Sequence, residues 1–175
     1  MIDENYILTK EKLCFHHTKI ENIKGILAEG LKPGSKHDEN GDIKEYYKLY
    51  PNEPERIFVV CFDGENTEFE RNYHTKIERN PKDGEREKKI ISLLKPQDDK
   101  IWLIISNDIK LLNREATYYA NAVEDPKITP DKIIAIVSPN NFDNNCVNLD
   151  EFSEVNTSKI KGKLLVRNCP DKIKN

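Results

Sequence analysis

Apolar runs separated by charged segments recur along the chain and predict a series of β-strands. The run Ile57–Phe62 is apolar on both of its faces, as a central strand would be. Ile101–Ile105 and Ile134–Val137 predict two further strands, and Lys12–His17 predicts a short strand near the N-terminus. Leu164–Val166 can add an edge strand to the same sheet.

One segment carries a clear helical repeat. Thr18 can cap its start, and Gly30 and Pro33 are typical of its end, where glycine adopts a left-handed backbone and proline stops the helix. Between them, apolar residues recur at helical spacing at Ile20, Ile23, Ile26 and Leu27. Residues 13–33 are therefore predicted to form a strand–helix unit.

Other segments have weaker patterns. Gly34–Glu55 is polar and predicts a long surface loop with room for one helical turn. Glu65–Lys89 is charged and predicts one helix followed by an exposed loop. Ala116–Val123 permits either a strand or a helix, and Ile128–Ile133 predicts a turn.

The order of these elements favours an α+β fold with few helices and a split, mainly antiparallel sheet. A single clear helix among several strands does not match the regular alternation of a doubly wound sheet. The length of 175 residues suits one domain. We expect residues 1–139 to form this domain, and residues 140–175 to be a basic C-terminal extension that packs on it or trails from it.

The charge balance narrows the classes of partner. The chain has 28 basic and 31 acidic residues, a formal net charge of −3, which argues against a globally cationic nucleic-acid binder. From Asn156 onward the local charge is +5, which fits either a solvated end or a phosphate-facing strip. No apolar run approaches the roughly 18 residues of a membrane span, and the acidic N-terminus does not resemble a secretory signal. We expect a soluble cytoplasmic protein without a membrane partner.

The cysteines and histidines do not predict a metal site. Cys14 and Cys61 lie inside apolar runs, where buried reduced thiols are expected, and no Cys-x-x-Cys pair is present. His16 and His17 are adjacent on the first predicted strand, so their side chains should point to opposite faces. Only one of them can face a cleft, while the other faces outward or packs under the helix. A histidine that only caps the strand edge through backbone hydrogen bonds is the alternative.

The strand–helix unit has the form of a known motif. Phe15-His16-His17-Thr18 is followed by the pattern I-x-x-I-L-x-x-G-L-x-P from Ile23 to Pro33. This combination resembles the first motif of the ADP-ribosyltransferase-like superfamily, whose members often begin with an aromatic residue, a histidine, a small residue and a threonine. His17 stands here in the place of the small residue.

Later segments follow the order of the same superfamily. Ile57–Phe62 and Ile101–Ile105 look like its second and next core strands, and Ile128–Ile133 is similar to the I-x-P-x-x-I segment near its third catalytic motif. The resemblance covers roughly residues 13 to 137. The DNA-modifying toxin branch and the RNA 2′-phosphotransferases share this layout, but the arginines of this chain do not match the arginine set of the phosphotransferases.

The resemblance implies a split antiparallel sheet that binds NAD+ as a substrate in its cleft. His16 matches the family histidine, which would hydrogen-bond the ribose hydroxyl beside nicotinamide and the adenosine side of NAD+. Thr18 would lie near it, at the start of a helix whose free N–H groups can bind a pyrophosphate. A carboxylate near the ribose would stabilise the positive charge that develops on bond cleavage. Glu115 and Glu124 are the candidates, and Glu115 is preferred because it can open a strand.

The resemblance also implies an aromatic ring beside the nicotinamide. Phe62 ends the second core strand and Tyr73 follows it, and the tyrosines of the predicted loop are further candidates, namely Tyr46, Tyr47 and Tyr50. A ring beside the cationic pyridinium gains roughly 0.5–2 kcal/mol.

The expected function is NAD-dependent transfer of ADP-ribose to a macromolecular acceptor, either a protein or a nucleic acid. The alternative is a catalytically inactive module of the same fold that recognises a protein or nucleic-acid partner. A hydrolase based on histidine is disfavoured, because the chain lacks a nucleophile motif such as Gly-x-Ser-x-Gly.

Overall fold

The computed structural model describes residues 2–9, 13–36, 41–62, 85–97, 99–112 and 121–168. The strands are β1 (Leu13–Lys19), β2 (Phe58–Phe62), β3 (Lys100–Ile105), β4 (Asn121–Ala122), β5 (Ile133–Ser138), β6 (Phe152–Val155) and β7 (Lys163–Arg167). They form one seven-stranded sheet in the order β4-β2-β1-β3-β5-β7-β6, and every neighbouring pair is antiparallel. The predicted α+β class with an antiparallel sheet is confirmed. The expected split of the sheet is not seen among these strands. β1 and β3 pair along six residues and thereby join β4-β2-β1 to β3-β5-β7-β6.

The helices of the described residues are short. They are α1 (Glu4–Thr9), α2 (Ile23–Glu29), α3 (Gly41–Leu49) and α4 (Glu85–Leu93), with single 3₁₀ turns at Ile20–Asn22, Pro130–Lys132 and Asn144–Cys146. None of these helices has the length and apolar character needed to cross a membrane. The α1 helix was not predicted from the sequence. The α3 helix occupies much of the segment predicted as a loop, because it buries Tyr46 against Phe58.

Both faces of the sheet are buried, which explains the strands that are apolar on both sides. One face, here called the α2 face, packs against α2 through side chains that include Cys14, Val59, Leu103, Ile136 and Leu165. The opposite face, here called the α4 face, packs against α1 and α4 through side chains that include Phe15, Val60, Ile104, Ala135 and Leu164.

The end of β1 differs from the sequence expectation. Thr18 lies inside the strand and does not cap a helix, because β1 continues its ladder with β3 as far as the pair Lys19 and Lys100. The 3₁₀ turn follows, and α2 begins at Ile23. The prediction that Thr18 is a helix cap was therefore wrong, because strand pairing outweighs the local capping preference.

Gly30 ends α2 with a φ of +95°, as the predicted glycine stop requires. A Cβ atom at this position would lie 2.5 Å from the carbonyl oxygen of Ile128. The close approach arises because Leu31 and Ile128 exchange two backbone hydrogen bonds of 2.8 and 2.9 Å. The end of the strand–helix unit is thereby joined to the Ile128–Ile133 segment.

The C-terminal part of the described chain belongs to the same sheet. β7 contains the predicted strand Leu164–Val166, but it lies between β5 and β6 and is not an edge strand. The edge strand at this end of the sheet is β6, which the sequence did not indicate because only Phe152 of its four residues is buried.

The N-terminal helix is attached to this C-terminal part by one buried carboxylate. The side chain of Glu4 is 7% exposed and accepts backbone N–H hydrogen bonds from Ser158 at 2.6 Å and Ile160 at 3.1 Å, and one from Lys159. An open cavity of about 450 Å³ lies beside this contact and is lined by residues that include Asp3, Asn5, Asn156 and Thr157. Of the residues predicted for the NAD+ site, those that the structure describes (His16, Thr18 and Glu124) do not line this cavity.

Candidate functional site

His16 lies in the middle of the sheet, on the strand between β2 and β3. It shares the α2 face with Cys14 because side chains alternate along a strand. The half-buried imidazole has its Nδ1 2.8 Å from the carbonyl oxygen of Phe58. A carbonyl oxygen only accepts hydrogen bonds, so Nδ1 carries the proton and Nε2 of the neutral ring is a hydrogen-bond acceptor.

The protonation state of His16 follows from its surroundings. Burial lowers the pKa of His16 below its ordinary value of 6.5, and the hydrogen bond to the Phe58 carbonyl opposes this effect more weakly. The neutral form is therefore favoured around neutral pH. In this state the ring can accept a hydrogen bond from a hydroxyl or amide and carries no positive charge.

His17 points to the opposite face of the sheet, as the alternation of strand side chains predicts. Its ring stacks on Trp102, with ring centroids 4.4 Å apart and an interplanar angle of 16°. The pKa of His17 is lowered to about 4, mainly by burial. The positive charge of Lys100 and the proximity of His16 lower this pKa further, whereas the negative charge of Asp99 raises it. The bulk of His17 therefore does not lie on the face that carries His16.

The low pKa of His17 predicts a loss of stability in mild acid. As the pH falls from 6.5 towards 4, the unfolded chain binds a proton that the folded His17 does not accept, so the free energy of unfolding decreases. At about 1.4 kcal/mol per pH unit, reduced for partial exposure, the loss is about 2 kcal/mol. Urea unfolding at pH 7 and pH 4.5 measures it.

The control for this prediction is His17→Phe, which keeps a ring against Trp102 and removes the titrating group. We expect the difference in urea midpoint between the two pH values to be smaller in this variant than in the wild type. An equal difference in both proteins would show that other groups cause the acid sensitivity.

Thr18 lies two residues beyond His16 on the same face of β1. Its half-buried side chain accepts a hydrogen bond of 3.2 Å at Oγ1 from Nδ2 of Asn22, the residue that precedes α2. The strand and the start of the helix are thus linked beside His16. The predicted proximity of His16 and Thr18 follows from the strand itself.

The structure places Glu124 at the other side of β2. It follows β4, is exposed, and its carbonyl oxygen accepts a hydrogen bond of 3.0 Å from Nη1 of Arg56. Because β2 lies between β4 and β1, Glu124 is separated from His16 by one intervening strand. Glu115 lies outside the described residues, in the segment that leads into β4.

Two of the predicted aromatic residues, Tyr46 and Tyr47, lie on the face of the sheet opposite to His16. Phe62 ends β2, where its backbone pairs with Leu13, three residues before His16. Tyr73 lies outside the described residues. Tyr46 and Tyr47 contact the ring of Phe58 edge-on, with centroids 5.0 and 5.9 Å away. By alternation Phe58 shares the α4 face with Val60, so these contacts lie opposite to His16.

Arg56 forms several contacts near the β4 edge of the sheet, and the sequence did not indicate this role. Its guanidinium forms an ion pair of 2.9 Å with Glu53 as well as its hydrogen bond to Glu124, and its backbone N–H donates to the hydroxyl of Tyr47 at 2.9 Å. These contacts connect α3 and β2 to the segment after β4. The only sequence signal is the proximity of Glu53 and Arg56 at a spacing of three residues, which alone is too common to identify the cluster.

Within the residues that the structure describes, no group of three or more histidine, cysteine or acidic side chains could hold a metal ion. Comparisons of the chain with protein-family models, with curated proteins and with solved structures found no match. The geometry around His16 is therefore the basis for a functional assignment.

Proposed function

We propose that this protein transfers ADP-ribose from NAD+ to a macromolecular acceptor. The observation that carries the proposal is the state of His16 on the central strand. The Phe58 carbonyl holds Nδ1 as the donor, so that Nε2 is an acceptor suited to a ribose hydroxyl. The type of reaction, ADP-ribosyl transfer, is inferred from the resemblance of residues 13–33 and 128–133 to the ADP-ribosyltransferase-like superfamily.

A neutral imidazole suits this substrate. The nicotinamide ring of NAD+ is a cation, and positive charge develops on the ribose as the bond between C1′ and the ring nitrogen breaks. A protonated histidine beside it would oppose both charges, whereas burial lowers the pKa of His16 and keeps its ring neutral. His16 would therefore orient the ribose without opposing the charge that develops.

The remaining chemistry requires a carboxylate near the ribose. In the proposed reaction the bond from C1′ to nicotinamide breaks, a nucleophilic atom of the acceptor bonds to C1′, and its proton passes to a carboxylate or to water. Glu115 is the preferred residue for this role and Glu124 is the alternative. A carboxylate near the ribose would also stabilise the oxocarbenium-like charge. The reaction balances with nicotinamide as the leaving group.

Two further features of the described structure support the proposal. The two segments that carry the resemblance are in contact, since Leu31 and Ile128 exchange backbone hydrogen bonds. His17, which replaces a small family residue, places its ring on the face opposite to His16, because it stacks on Trp102. The antiparallel sheet is consistent with an ADP-ribosyltransferase-like fold.

The test measures ligand binding and turnover with the full chain. NAD+ at about 100 times its dissociation constant should stabilise the folded state by about 2.7 kcal/mol, which raises Tm by roughly 5–10 °C. Nicotinamide release should be detected by chromatography in the presence of a protein mixture, a DNA oligonucleotide or an RNA oligonucleotide. Biotin-labelled NAD+ then identifies which of the three becomes modified.

The outcomes separate the enzyme from a binding module. An absence of both the Tm increase and nicotinamide release would overturn the proposal. Salt-sensitive binding of a nucleic acid without turnover would favour the catalytically inactive module, because phosphate contacts weaken as the salt concentration rises.

A further inference from the structure

Cys14 and Cys61 form a thiol pair in the core of the sheet. They are directly opposite each other on β1 and β2, and their sulfur atoms lie 2.7 Å apart. Both side chains are buried, with exposed fractions of 0% for Cys14 and 9% for Cys61. The apolar runs around Cys14 and Cys61 predict buried thiols, but no local pattern indicates that these two cysteines meet across 47 residues of chain.

The positions satisfy the geometric requirements of a disulfide bond. Directly opposed residues of antiparallel strands have Cα atoms about 4.5–5.5 Å apart, and a disulfide accepts Cα separations of about 4.4–6.8 Å. Both side chains lie on the α2 face of the sheet. The sulfur atoms must approach by less than one ångström to reach the S–S bond length of about 2.0 Å.

We propose that Cys14 and Cys61 are a site of reversible disulfide formation driven by a peroxide. This inference does not depend on the proposed transferase activity. The bond would join β1 to β2, the two strands that contribute His16 and the Phe58 carbonyl. Oxidation would therefore link the two strands that position His16 by a covalent bond.

The reaction balances with hydrogen peroxide as the two-electron oxidant. The thiolate of Cys61 attacks the peroxide, an S–O bond forms, the O–O bond breaks, and hydroxide leaves and is protonated to water. The thiolate of Cys14 then attacks the sulfenic sulfur, the S–S bond forms, the S–O bond breaks, and a second water leaves. Two thiols are oxidised to one disulfide, and one peroxide is reduced to two waters.

Cys61 is the more accessible of the two thiols, since its exposed fraction is 9% against 0% for Cys14. An oxidant reaches a buried thiol through local opening of the structure, which requires less free energy than global unfolding. A small oxidant can then reach Cys61 before Cys14, which is fully buried.

The experiment treats the reduced full-length protein with hydrogen peroxide, blocks remaining thiols with an alkylating agent under denaturing conditions, and maps the peptides by mass spectrometry. We expect a cross-linked peptide pair that contains Cys14 and Cys61, with the loss of two hydrogen atoms from the intact mass. A reductant should reverse both changes. Closing a loop of 47 residues should also raise Tm by roughly 10 °C over the reduced form.

The matched variants are Cys61→Ser, which should abolish the cross-link, and Cys146→Ser, which should leave it intact because Cys146 is a half-buried cysteine outside the pair. If Cys61→Ser does not fold, the wild-type peptide map still decides the question. Recovery of both cysteines as alkylated thiols, a disulfide to Cys146, or oxidation only to sulfinic acid would overturn the proposal.

Discussion

Replacing His16 by alanine should reduce the rate of nicotinamide release from NAD+ by about 100-fold or more, the range found when one preorganised hydrogen-bonding group is removed from an active site. The reason is the loss of the acceptor at Nε2, which Nδ1 holds in place through the carbonyl oxygen of Phe58. The measurement is steady-state nicotinamide release, with circular dichroism and Tm to verify the fold. Wild-type turnover in a folded His16→Ala protein would remove His16 from the mechanism.

Two variants separate the role of His16 in catalysis from its role in the sheet. His16→Asn has a side-chain amide that can still donate to the Phe58 carbonyl but does not extend to the position of Nε2, so it should fold and be nearly inactive. His17→Phe alters the neighbouring residue on the opposite face and should keep turnover within about threefold of the wild type.

Glu115→Gln should lose activity, whereas Glu124→Gln should retain it if Glu115 is the catalytic acid.

Replacing Glu4 by alanine should lower the free energy of unfolding by about 3 kcal/mol. One carboxylate accepts three backbone N–H groups from residues 158–160, and hydrogen bonds to a charged group contribute about 1.5–3 kcal/mol each, although water can partly replace the exposed ones. The variant also releases α1, whose six residues include Ile7 and Leu8 of the core. Urea unfolding of the wild type and the variant measures the difference.

The matched control is Glu87→Gln, which removes an ion pair of 2.7 Å from the same segment at Lys159. Both partners of that pair are partly or largely exposed, so the free energy of unfolding should change little. Equal effects of the two substitutions would show that the backbone contacts of Glu4 do not anchor α1.

The short elements illustrate why parts of the fold could not be predicted. An isolated helix of six residues is unstable in water, so α1 exists only because its apolar side chains pack against the α4 face. The strand β6 has one buried residue among four and therefore lacks an alternating pattern. Thr18 was predicted as a helix cap from its local context, but the ladder between β1 and β3 determines its conformation.

The candidate site was predictable only in part, because some of its contacts join segments that are distant in the chain. That His16 and His17 face opposite sides follows from the two-residue repeat of a strand, whatever the strand's neighbours are. The contact that defines the state of His16 comes from Phe58, which is 42 residues away. A choice between Glu115 and Glu124 depends on chain geometry around β4, and spacing along the sequence does not supply it.

The sequence by itself determined where the central strands lie, where α2 ends, and that the two histidines point apart. Each of these depends on interactions within a few residues: apolar runs that require burial on both faces, a glycine that tolerates a positive φ, and the alternation of side chains. The tertiary structure alone decided the order of the strands, the pairing of Cys14 with Cys61, the hydrogen bond that orients His16, and the attachment of Glu4 to residues 158–160. These depend on register between segments distant in the chain, which is set by how the whole sheet packs and not by any local pattern.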